Sequence, residues 1–278
     1  MLAKDNEFQY WAPSLFLAVD DKNKKCSNQI EYRGLVDQRP YSLIILNQPI
    51  SIGILDLLFL NEKIEAILRI CADGGANRLY DVVKGTENET RYIPNYICGD
   101  IDSLRPDVAE YYKSKGTEIK GNPQDQDTTD FQKCIALLSL KEQEASLEYD
   151  IIGYGALGGR FDHTMSSIHI LHQQINNDDI KKKEQQKRIY LLTDHDITML
   201  LSEGKHNVFC DLSILGPTCG ILPIGVSQAV ITTTGLRWNL TKATTSFGNM
   251  ISTSNQFNGE IVTIETDSPV IWTVELRK

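Results

Sequence analysis

The hydrophobic period of this chain changes at about residue 204, and that change limits the fold more than any other feature. Between about residues 41 and 201, short apolar runs alternate with segments of helical period, which is typical of a parallel sheet with helices on both faces. We predict strands at residues 42–46, 66–72, 92–98, 117–120, 150–152, 189–193 and 197–201. We predict helices at residues 52–63, 76–83, 106–115, 128–142 and 161–174.

After Gly204 the helical period disappears, and short β-branched runs are separated by Gly, Pro and Asn. This pattern predicts an all-β unit, a small sandwich or barrel. Its strands are expected at residues 208–215, 226–234, 250–253, 260–265 and 270–276. The first 40 residues show no clear period and are interpreted as an extension packed on a domain. The expected order is therefore an N-terminal extension (1–40), an α/β domain with a doubly wound, mainly parallel sheet (41–203) and a β domain (204–278).

Charge and hydrophobicity exclude several classes of protein. The 278 residues include 28 Lys and Arg against 37 Asp and Glu, so the chain lacks the basic footprint of a general nucleic-acid binder. Its apolar runs are shorter than the about 20 residues that span a membrane, and the N-terminus shows no secretory signal. The six cysteines form no CxxC pair, and as buried free thiols they favour the cytoplasm. We expect no nucleic-acid partner, no membrane partner and a cytoplasmic location.

Aspartates follow the second and third predicted strands, at the edge where parallel sheets bind their ligands. Asp73 precedes Gly74 and Gly75 at a helix start, where the backbone can approach a phosphate. Taken alone, Asp73 is more simply explained as a helix cap. Asp100 and Asp102 stand two residues apart in a loop and could both turn toward one cation, although such pairs are also common in solvated turns.

A third acidic segment, residues 122–131, precedes the apolar helix predicted at 128–142. Asp127 is a natural N-cap and Asp130 follows three residues later, so capping alone would explain both acids. Pointed at the same crevice as Asp100 and Asp102, Asp130 would instead complete a carboxylate cluster. Because unpaired carboxylates repel one another, we interpret this cluster as a site for Mg²⁺.

A glycine-rich segment at residues 153–163 contains the pattern GxGxxG. We reject a dinucleotide site, because the pattern lies in a late βα turn and lacks the acid expected about 20 residues further on. Arg160 suits a polyphosphate instead, since a guanidinium pairs bidentately with phosphate oxygens. Asp162 stands beside it, and His163 is interpreted as a hydrogen-bonding residue at the helix start. Acids for a metal, a glycine-rich loop and an arginine together indicate a Mg²⁺-dependent enzyme that uses a nucleoside triphosphate.

Six short motifs stand in the order found in thiamin pyrophosphokinases, and the chain resembles the eukaryotic members of that family. The motifs occupy residues 72–77, 99–103, 127–131, 158–163, 232–240 and 252–255. Each is weak alone, but the ordered set is specific and extends over residues 41–278. Many members carry an aromatic residue at the position of Ile101, and we expect the Ile101 side chain to point into the core.

The resemblance implies that the protein transfers a diphosphoryl group from ATP to the hydroxyl of thiamin, giving thiamin diphosphate and AMP. It also implies a homodimer whose thiamin sites lie between the α/β domain of one subunit and the β domain of the other. The residues it places at Mg²⁺ are Asp73, Asp100, Asp102 and Asp130. Those it places at ATP are Asp73, Gly74, Gly75, Asn77 and Arg160. Those it places near thiamin and the transferred group are Gln126, Thr129, Asp162, Trp238, Ser254 and Asn255. Of all these, the residues expected to be catalytic are Asp100, Asp102, Asp130, Arg160 and Asp162.

Trp238 is expected to cover a thiamin ring, because thiamin carries a thiazolium charge and Trp is the best cation–π partner. The alternative is a residue of the β-domain core. Because side chains alternate along a strand, Arg237 and Asn239 are expected to point away from the face that Trp238 presents. Trp11 and Trp272 have no comparable context and are interpreted as packing residues.

Two other functions stay open from the residues alone. A metal-dependent nucleotide-sugar transferase also uses an Asp-x-Asp pair, but it does not explain the C-terminal motifs. A non-catalytic nucleotide-binding regulatory module would not need Asp73, Asp100, Asp102 and Asp130 together.

Overall fold

The structure, a computed structural model, describes residues 7–17, 40–59, 66–176 and 187–277. These residues form two compact units. One unit is built from the described residues between Pro40 and Asp194, and the other joins the described residues before Pro40 to the chain from His195 onward. Among the described residues, no helix is both long enough and apolar enough to cross a membrane.

The elements are numbered here from the N-terminus. The strands are β1 (Phe8–Trp11), β2 (Tyr41–Ile45), β3 (Leu68–Ala72), β4 (Tyr96–Gly99), β5 (Glu118–Gly121), β6 (Asp150–Tyr154), β7 (Ile189–Leu192), β8 (Asp196–Leu201), β9 (Gly204–Phe209), β10 (Leu215–Leu222), β11 (Ala229–Thr234), β12 (Ala243–Thr245), β13 (Ser252–Gln256), β14 (Ile261–Thr266) and β15 (Val270–Leu276). The helices are α1 (Ile52–Phe59), α2 (Gly75–Val83), α3 (Pro106–Ser114), α4 (Asp130–Ala145) and α5 (Phe161–Asn176), with short 3₁₀ turns at Leu15–Leu17 and Glu89–Arg91. The last residues of the helix predicted at 52–63 lie outside the described part of the chain.

The first of these units, residues 40–194, contains a parallel sheet with strand order β7-β6-β2-β3-β4-β5. Strands β3 to β5 are added on one side of β2, and β6 and β7 are added on the other. Because βαβ crossovers are right-handed, this reversal places helices on both faces, so the sheet is doubly wound as predicted. The reversal also opens a crevice at the carboxyl ends of β2 and β6, where such sheets bind ligands.

The centre of this sheet is buried on both faces. Every residue of Tyr41–Ile45 and of Asp150–Tyr154 is buried, which explains their nearly continuous apolar sequence. Helix α4 packs against β2, β3 and β4 and begins with a capping box between Thr129 and Gln132. The N-cap is therefore Thr129, so the alternative in which Asp127 caps the helix is wrong.

The second unit is rich in β-strands, as predicted. It contains the strand orders β1-β9-β14-β11-β12 and β13-β10-β15-β8. The strand predicted at residues 208–215 is divided in two, because a turn closed by hydrogen bonds from the N–H groups of Ile214 and Leu215 to the carbonyl of Asp211 separates β9 from β10. Trp272 is fully buried and Trp11 is 8% exposed, so both are packing residues as predicted.

The start of the chain contributes a strand to this second unit. Strand β1 pairs in parallel with β9, from Phe8 opposite Lys205 to Trp11 opposite Val208. Trp11 Nε1 donates to Nδ1 of the buried His206 at 3.1 Å, and burial lowers the His206 pKa to about 4. Strand β8, which precedes residue 204, pairs with β15 in the same unit. The division into functional domains at 1–40, 41–203 and 204–278 stays a prediction.

Candidate active site

A cleft of about 640 Å³ opens at the crevice between β2 and β6. Its lining comes from the segments that follow β2, β3, β4 and β6, and from the first turns of α4 and α5. The volume lies in the range of small-molecule sites. Of the residues predicted from the sequence, the cleft brings together Asp73, Asp100, Asp102, Thr129, Asp130 and Arg160.

Asp73 is the most buried acid of the cleft, with 2% of its surface exposed. It follows β3 in a left-handed backbone conformation, with φ of 43°, which Asp and Asn adopt more readily than other non-glycine residues. Its Oδ2 accepts the N–H of Ser103 at 3.1 Å, whereas its buried Oδ1 has no hydrogen-bond partner among the described residues. Burial raises the Asp73 pKa to about 6, opposed by the Ser103 hydrogen bond and reinforced by the charge of Asp130.

Asp100 is held at two points by the first turn of α4. Its backbone N–H donates to Asp130 Oδ1 at 2.9 Å, and its Oδ1 accepts a hydrogen bond from Lys133 Nζ. Burial raises the Asp130 pKa, against the hydrogen bond from Asp100, and the Asp100 charge raises it further. Although burial alone would lower it, the hydrogen bond and charge of Asp100 raise the Lys133 pKa, so Lys133 carries an ammonium. Sequence reasoning missed Lys133, although its position three residues after Asp130 places both on one helix face.

The Asp-x-Asp loop after β4 is strained at its centre. Ile101 has a φ of 65°, which is unusual for a β-branched residue. Asp100 and Asp102 line the cleft, whereas Ile101 lies against β5, with its Cγ1 3.1 Å from the place of a Cβ on Gly121. The side chain is half-buried, so it packs against the sheet edge and not in the core. Such strain persists where the surrounding structure holds it, commonly at functional sites.

Gly74, Gly75 and Asn77 are not among the residues that line the cleft. A Cβ on Gly75 would lie 2.2 Å from the carbonyl oxygen of Ile45, so this glycine allows the start of α2 to approach β2. The Asn77 side chain donates to the Ser103 carbonyl at 2.7 Å and accepts the Arg105 N–H at 3.1 Å. The structure thus gives two of these residues a supporting role, and their contact with the nucleotide stays a prediction.

Arg160 and Asp162 form a bidentate pair at the start of α5. Arg160 Nε donates to Asp162 Oδ1 at 3.1 Å, and Nη2 donates to Oδ2 at 2.5 Å. Both side chains are exposed, and hydrogen bonding to Arg160 lowers the Asp162 pKa. Arg160 lines the cleft, whereas Asp162 and Gln126 are not among the lining residues. Their roles in catalysis and thiamin binding stay predictions.

A polar segment after β2 also lines the cleft and was not predicted. Asn47 accepts a hydrogen bond from Arg78 Nε at 2.9 Å. Gln48 lies against the glycine-rich loop, since a Cβ on Gly159 would be 2.4 Å from Gln48 Nε2. Their position in the sequence could have predicted this, because residues that follow the first parallel strand lie at the same edge of the sheet as the acids.

Trp238, Ser254 and Asn255 belong to the β-rich unit. Asn255 is buried and holds the Trp238 backbone at both ends, donating to its carbonyl at 2.8 Å and accepting its N–H at 3.2 Å. Trp238 is 53% exposed, which argues against the core alternative. Trp238 does not lie in a strand, so strand alternation does not apply. The Arg237 guanidinium lies over the ring, 4.7 Å from its centroid, and the expectation that Arg237 points away was wrong.

The carboxylates of the cleft fit a magnesium ion that completes its shell with water and phosphate. Among the residues described, no three His, Cys, Asp or Glu side chains form a ready-made metal centre. Mg²⁺ is commonly held by one or two carboxylates together with substrate phosphates, so a complete protein cage is not required. The main support for a cation at this site is the unpartnered Oδ1 of Asp73, because a buried carboxylate oxygen without a hydrogen bond is costly unless a cation neutralises it.

Two family matches cover most of the chain. Residues 60–183 match the thiamin pyrophosphokinase catalytic domain, and residues 205–271 match the thiamin pyrophosphokinase vitamin B1 binding domain. The chain belongs to the thiamin pyrophosphokinase family. Thiamine pyrophosphokinase 3 of Oryza sativa subsp. japonica is 44% identical over an alignment of 243 residues, and the match covers 80% of this chain and 86% of that protein. Thiamine pyrophosphokinase 2 of Arabidopsis thaliana is 40% identical, over 86% of this chain and 87% of the relative.

The fold agrees with this family. The solved structure of thiamin pyrophosphokinase from Candida albicans superposes with a TM-score of 0.79 at 25% identity, covering 100% of this chain and 95% of that one. The yeast enzyme superposes with a TM-score of 0.75 at 27% identity, over 97% and 91% of the two chains. The thiamin pyrophosphokinase fold therefore extends over both units of the chain.

Proposed function

We propose that this protein transfers the terminal diphosphoryl group of ATP to the hydroxyl of thiamin, forming thiamin diphosphate and AMP. The observation that carries the proposal is the cleft in which Asp73, Asp100, Asp102 and Asp130 meet Arg160, within a chain of the thiamin pyrophosphokinase family. Both family domains support this reaction over a nucleotide-sugar transferase, which would not need a vitamin B1 binding domain. The four aspartates also favour an enzyme over a regulatory module.

The reaction conserves its atoms in a single displacement. The thiamin hydroxyl oxygen bonds to the β-phosphorus of ATP, and the bond from that phosphorus to the oxygen bridging the α-phosphate breaks. The bridging oxygen leaves with AMP, and the hydroxyl proton passes to a base or to water. A primary hydroxyl is a poor nucleophile near pH 7, so a carboxylate within hydrogen-bond reach assists by taking that proton.

The four aspartates and the arginine of the cleft each have a proposed part in this transfer. Asp73, Asp100, Asp102 and Asp130 would hold Mg²⁺, which neutralises phosphate charge when bound. Arg160 turns from Asp162 to the phosphates, because a guanidinium binds phosphate with the same bidentate geometry.

The remaining assignments concern the nucleotide and thiamin. Gly74, Gly75 and Asn77 support the nucleotide, and Gln126, Thr129 and Asp162 lie near thiamin and the transferred group. Trp238, Ser254 and Asn255 form the wall against a thiamin ring. These roles are supported by the family match over both domains.

The proposed assembly is a homodimer in which thiamin binds between the α/β domain of one subunit and the β domain of its partner. We also propose a cytoplasmic location, supported by five buried free cysteines among the described residues, since a reducing compartment keeps thiols free.

The products test the proposed reaction. With thiamin, ATP and Mg²⁺, we expect AMP and thiamin diphosphate in equal amounts, because attack at the β-phosphorus releases AMP. Chromatography that separates AMP, ADP and the thiamin phosphates measures both products, and omission of thiamin controls for ATP hydrolysis. Accumulation of ADP and thiamin monophosphate would show that the γ-phosphoryl group is transferred and would refute the proposal.

Trp238→Ala is expected to raise the KM for thiamin by about 5- to 30-fold, because it removes ring stacking and cation–π attraction of roughly 1–2 kcal/mol. The KM for ATP should stay nearly constant, and Trp238→Phe should recover part of the loss. Since the ring is half exposed, the melting temperature should change little. Steady-state kinetics with each substrate in turn measures both constants, and an unchanged thiamin KM would remove Trp238 from the site.

A further inference from the structure

We propose that Lys133 is a built-in counter-cation that weakens divalent-metal binding to the substrate-free cleft, so that the metal enters together with the nucleotide phosphates. This inference rests on the proposed function only in taking Asp100 as a metal ligand. It assigns Lys133 an electrostatic role, in which its ammonium is paired with Asp100 and acts on the metal by its charge and not as a ligand.

The burial of Lys133 is the first observation. Its side chain is 4% exposed and its Asp100 partner is 27% exposed. Lysine is almost never buried unless it is paired, because removing an ammonium from water is costly. Lys141, on the same helix, has the ordinary arrangement, with 27% of its side chain exposed and a partner, Glu144, that is 65% exposed. The ammonium of Lys133 is therefore fixed inside the acidic cluster.

The position of the ammonium is the second observation. Lys133 Nζ donates to Asp100 Oδ1, while the Asp100 backbone N–H is bound by Asp130. One turn of α4 thus fixes both the backbone and the carboxylate of Asp100. The hydrogen bond engages one carboxylate oxygen of Asp100, which leaves the other for a metal.

The positive charge of Lys133 determines how this ion pair affects metal binding by Asp100. A divalent cation bound by Asp100 lies within a few ångströms of the ammonium, and two positive charges at that distance repel each other. With a separation of about 5 Å and the screening of bulk water, removal of the ammonium strengthens metal binding by about 10-fold. A triphosphate brings several negative charges, which offset this repulsion. The cleft consequently favours a metal–nucleotide complex over the free metal.

If Lys133 served only to orient Asp100, its removal would change the metal affinity in the opposite direction. If Lys133 only holds Asp100 in position, its removal frees the carboxylate to rotate and weakens metal binding. The direction of the change in metal affinity therefore separates the two roles without any measurement of activity.

The experiment measures Mn²⁺ binding to the full-length protein without nucleotide or thiamin, by titration calorimetry or by the electron paramagnetic resonance signal of free Mn²⁺. We expect Lys133→Met and Lys133→Gln to bind Mn²⁺ about 10-fold more tightly than the unmodified protein. Lys133→Arg keeps the positive charge and should bind Mn²⁺ as the unmodified protein does. Lys141→Met, which removes the same charge from the surface of the same helix, is the matched control and should also leave the affinity unchanged.

Unchanged or weaker Mn²⁺ binding by Lys133→Met and Lys133→Gln would overturn the proposal. If neither variant shows a cooperative thermal transition, the ammonium is a structural requirement and the proposal is equally wrong. Asp100→Asn should weaken Mn²⁺ binding, and an unchanged affinity would exclude Asp100 as a ligand and refute the inference. Failure of the proposed function is a separate result, because it would appear as missing AMP while the order of Mn²⁺ affinities remained.

Discussion

Asp73→Asn is expected to lower turnover at least about 100-fold, the loss that follows when several kcal/mol of metal-assisted catalysis depend on one carboxylate. The same change should raise the melting temperature of the metal-free protein, because it removes a buried charge whose Oδ1 has no hydrogen-bond partner among the described residues. Asn keeps the shape, the acceptor for the Ser103 N–H and tolerance of the left-handed backbone. Turnover under saturating substrates and thermal unfolding in a chelator measure the two effects.

The stability gained by Asp73→Asn should increase with pH. The Asp73 pKa is raised by burial from 3.8 to about 6, so the folded state binds more protons than the unfolded state between these values. The unfolding free energy of the unmodified protein therefore falls as the pH rises through this window, and the penalty is complete above about pH 6. The advantage of Asp73→Asn should be greatest at pH 7 and should shrink as the pH falls toward 4.

Asp150→Asn is the matched control for this prediction. Asp150 is also buried, at 7% exposure, but it lies at the opposite end of β6 and is paired with Arg188 at 3.4 Å. Its replacement should lower the melting temperature and leave turnover within a few-fold. An Asp73→Asn enzyme that turns over normally would remove Asp73 from the catalytic site, whatever its stability.

Gly75→Ala is expected to destabilise the fold by about 3 kcal/mol or more, at the upper end of the range for overpacked sites. The added Cβ would lie 2.2 Å from the Ile45 carbonyl oxygen, and neither backbone can move without shifting β2 or α2. A loss of this size corresponds to a fall in melting temperature of about 6–12 °C. Activity should fall in parallel, since Asp73 stands two residues before the displaced backbone.

Gly53→Ala provides the control. Gly53 lies in α1, and a Cβ there would meet nothing within 4 Å. In a helix this change is neutral or stabilising by up to about 1 kcal/mol. If Gly75→Ala melts at the same temperature as Gly53→Ala, the inference that α2 approaches β2 too closely for a side chain at residue 75 is wrong.

The order of strands and helices and the position of the acids could be predicted because both depend on local pattern. A parallel sheet brings the residues after each strand to one edge, so Asp100, Asp102 and Asp130 were expected to converge, and all three line the cleft. The helix at the third of these sites was predicted to begin too early, because Asp127 and Thr129 are both good N-caps. Only the Gln132 side chain, which completes the capping box, distinguishes them.

Contacts that depend on tertiary structure could not be predicted in this way. Lys133 appears in the sequence as an ordinary helical lysine, and only its burial shows that it pairs with Asp100. The placement of Arg237 over Trp238 depends on an irregular loop, for which strand alternation gave the wrong direction. Strand β1 has a short, mixed sequence whose partner, β9, is far along the chain, so no local signal identifies the pairing.

That distant pairing sets an order of events during biosynthesis. Trp11 and His206 are 195 residues apart, and a ribosome adding about 5–20 residues per second needs roughly 10–40 s to make the intervening chain. Through that interval the first strand emerges without its neighbour, while the strands of residues 40–194 are made and can pair among themselves. The strands of the parallel sheet are therefore made before β9, the partner of β1. Until β9 has been made, the Phe8–Trp11 segment, with three aromatic residues in four, lacks the strand with which it pairs in the folded protein.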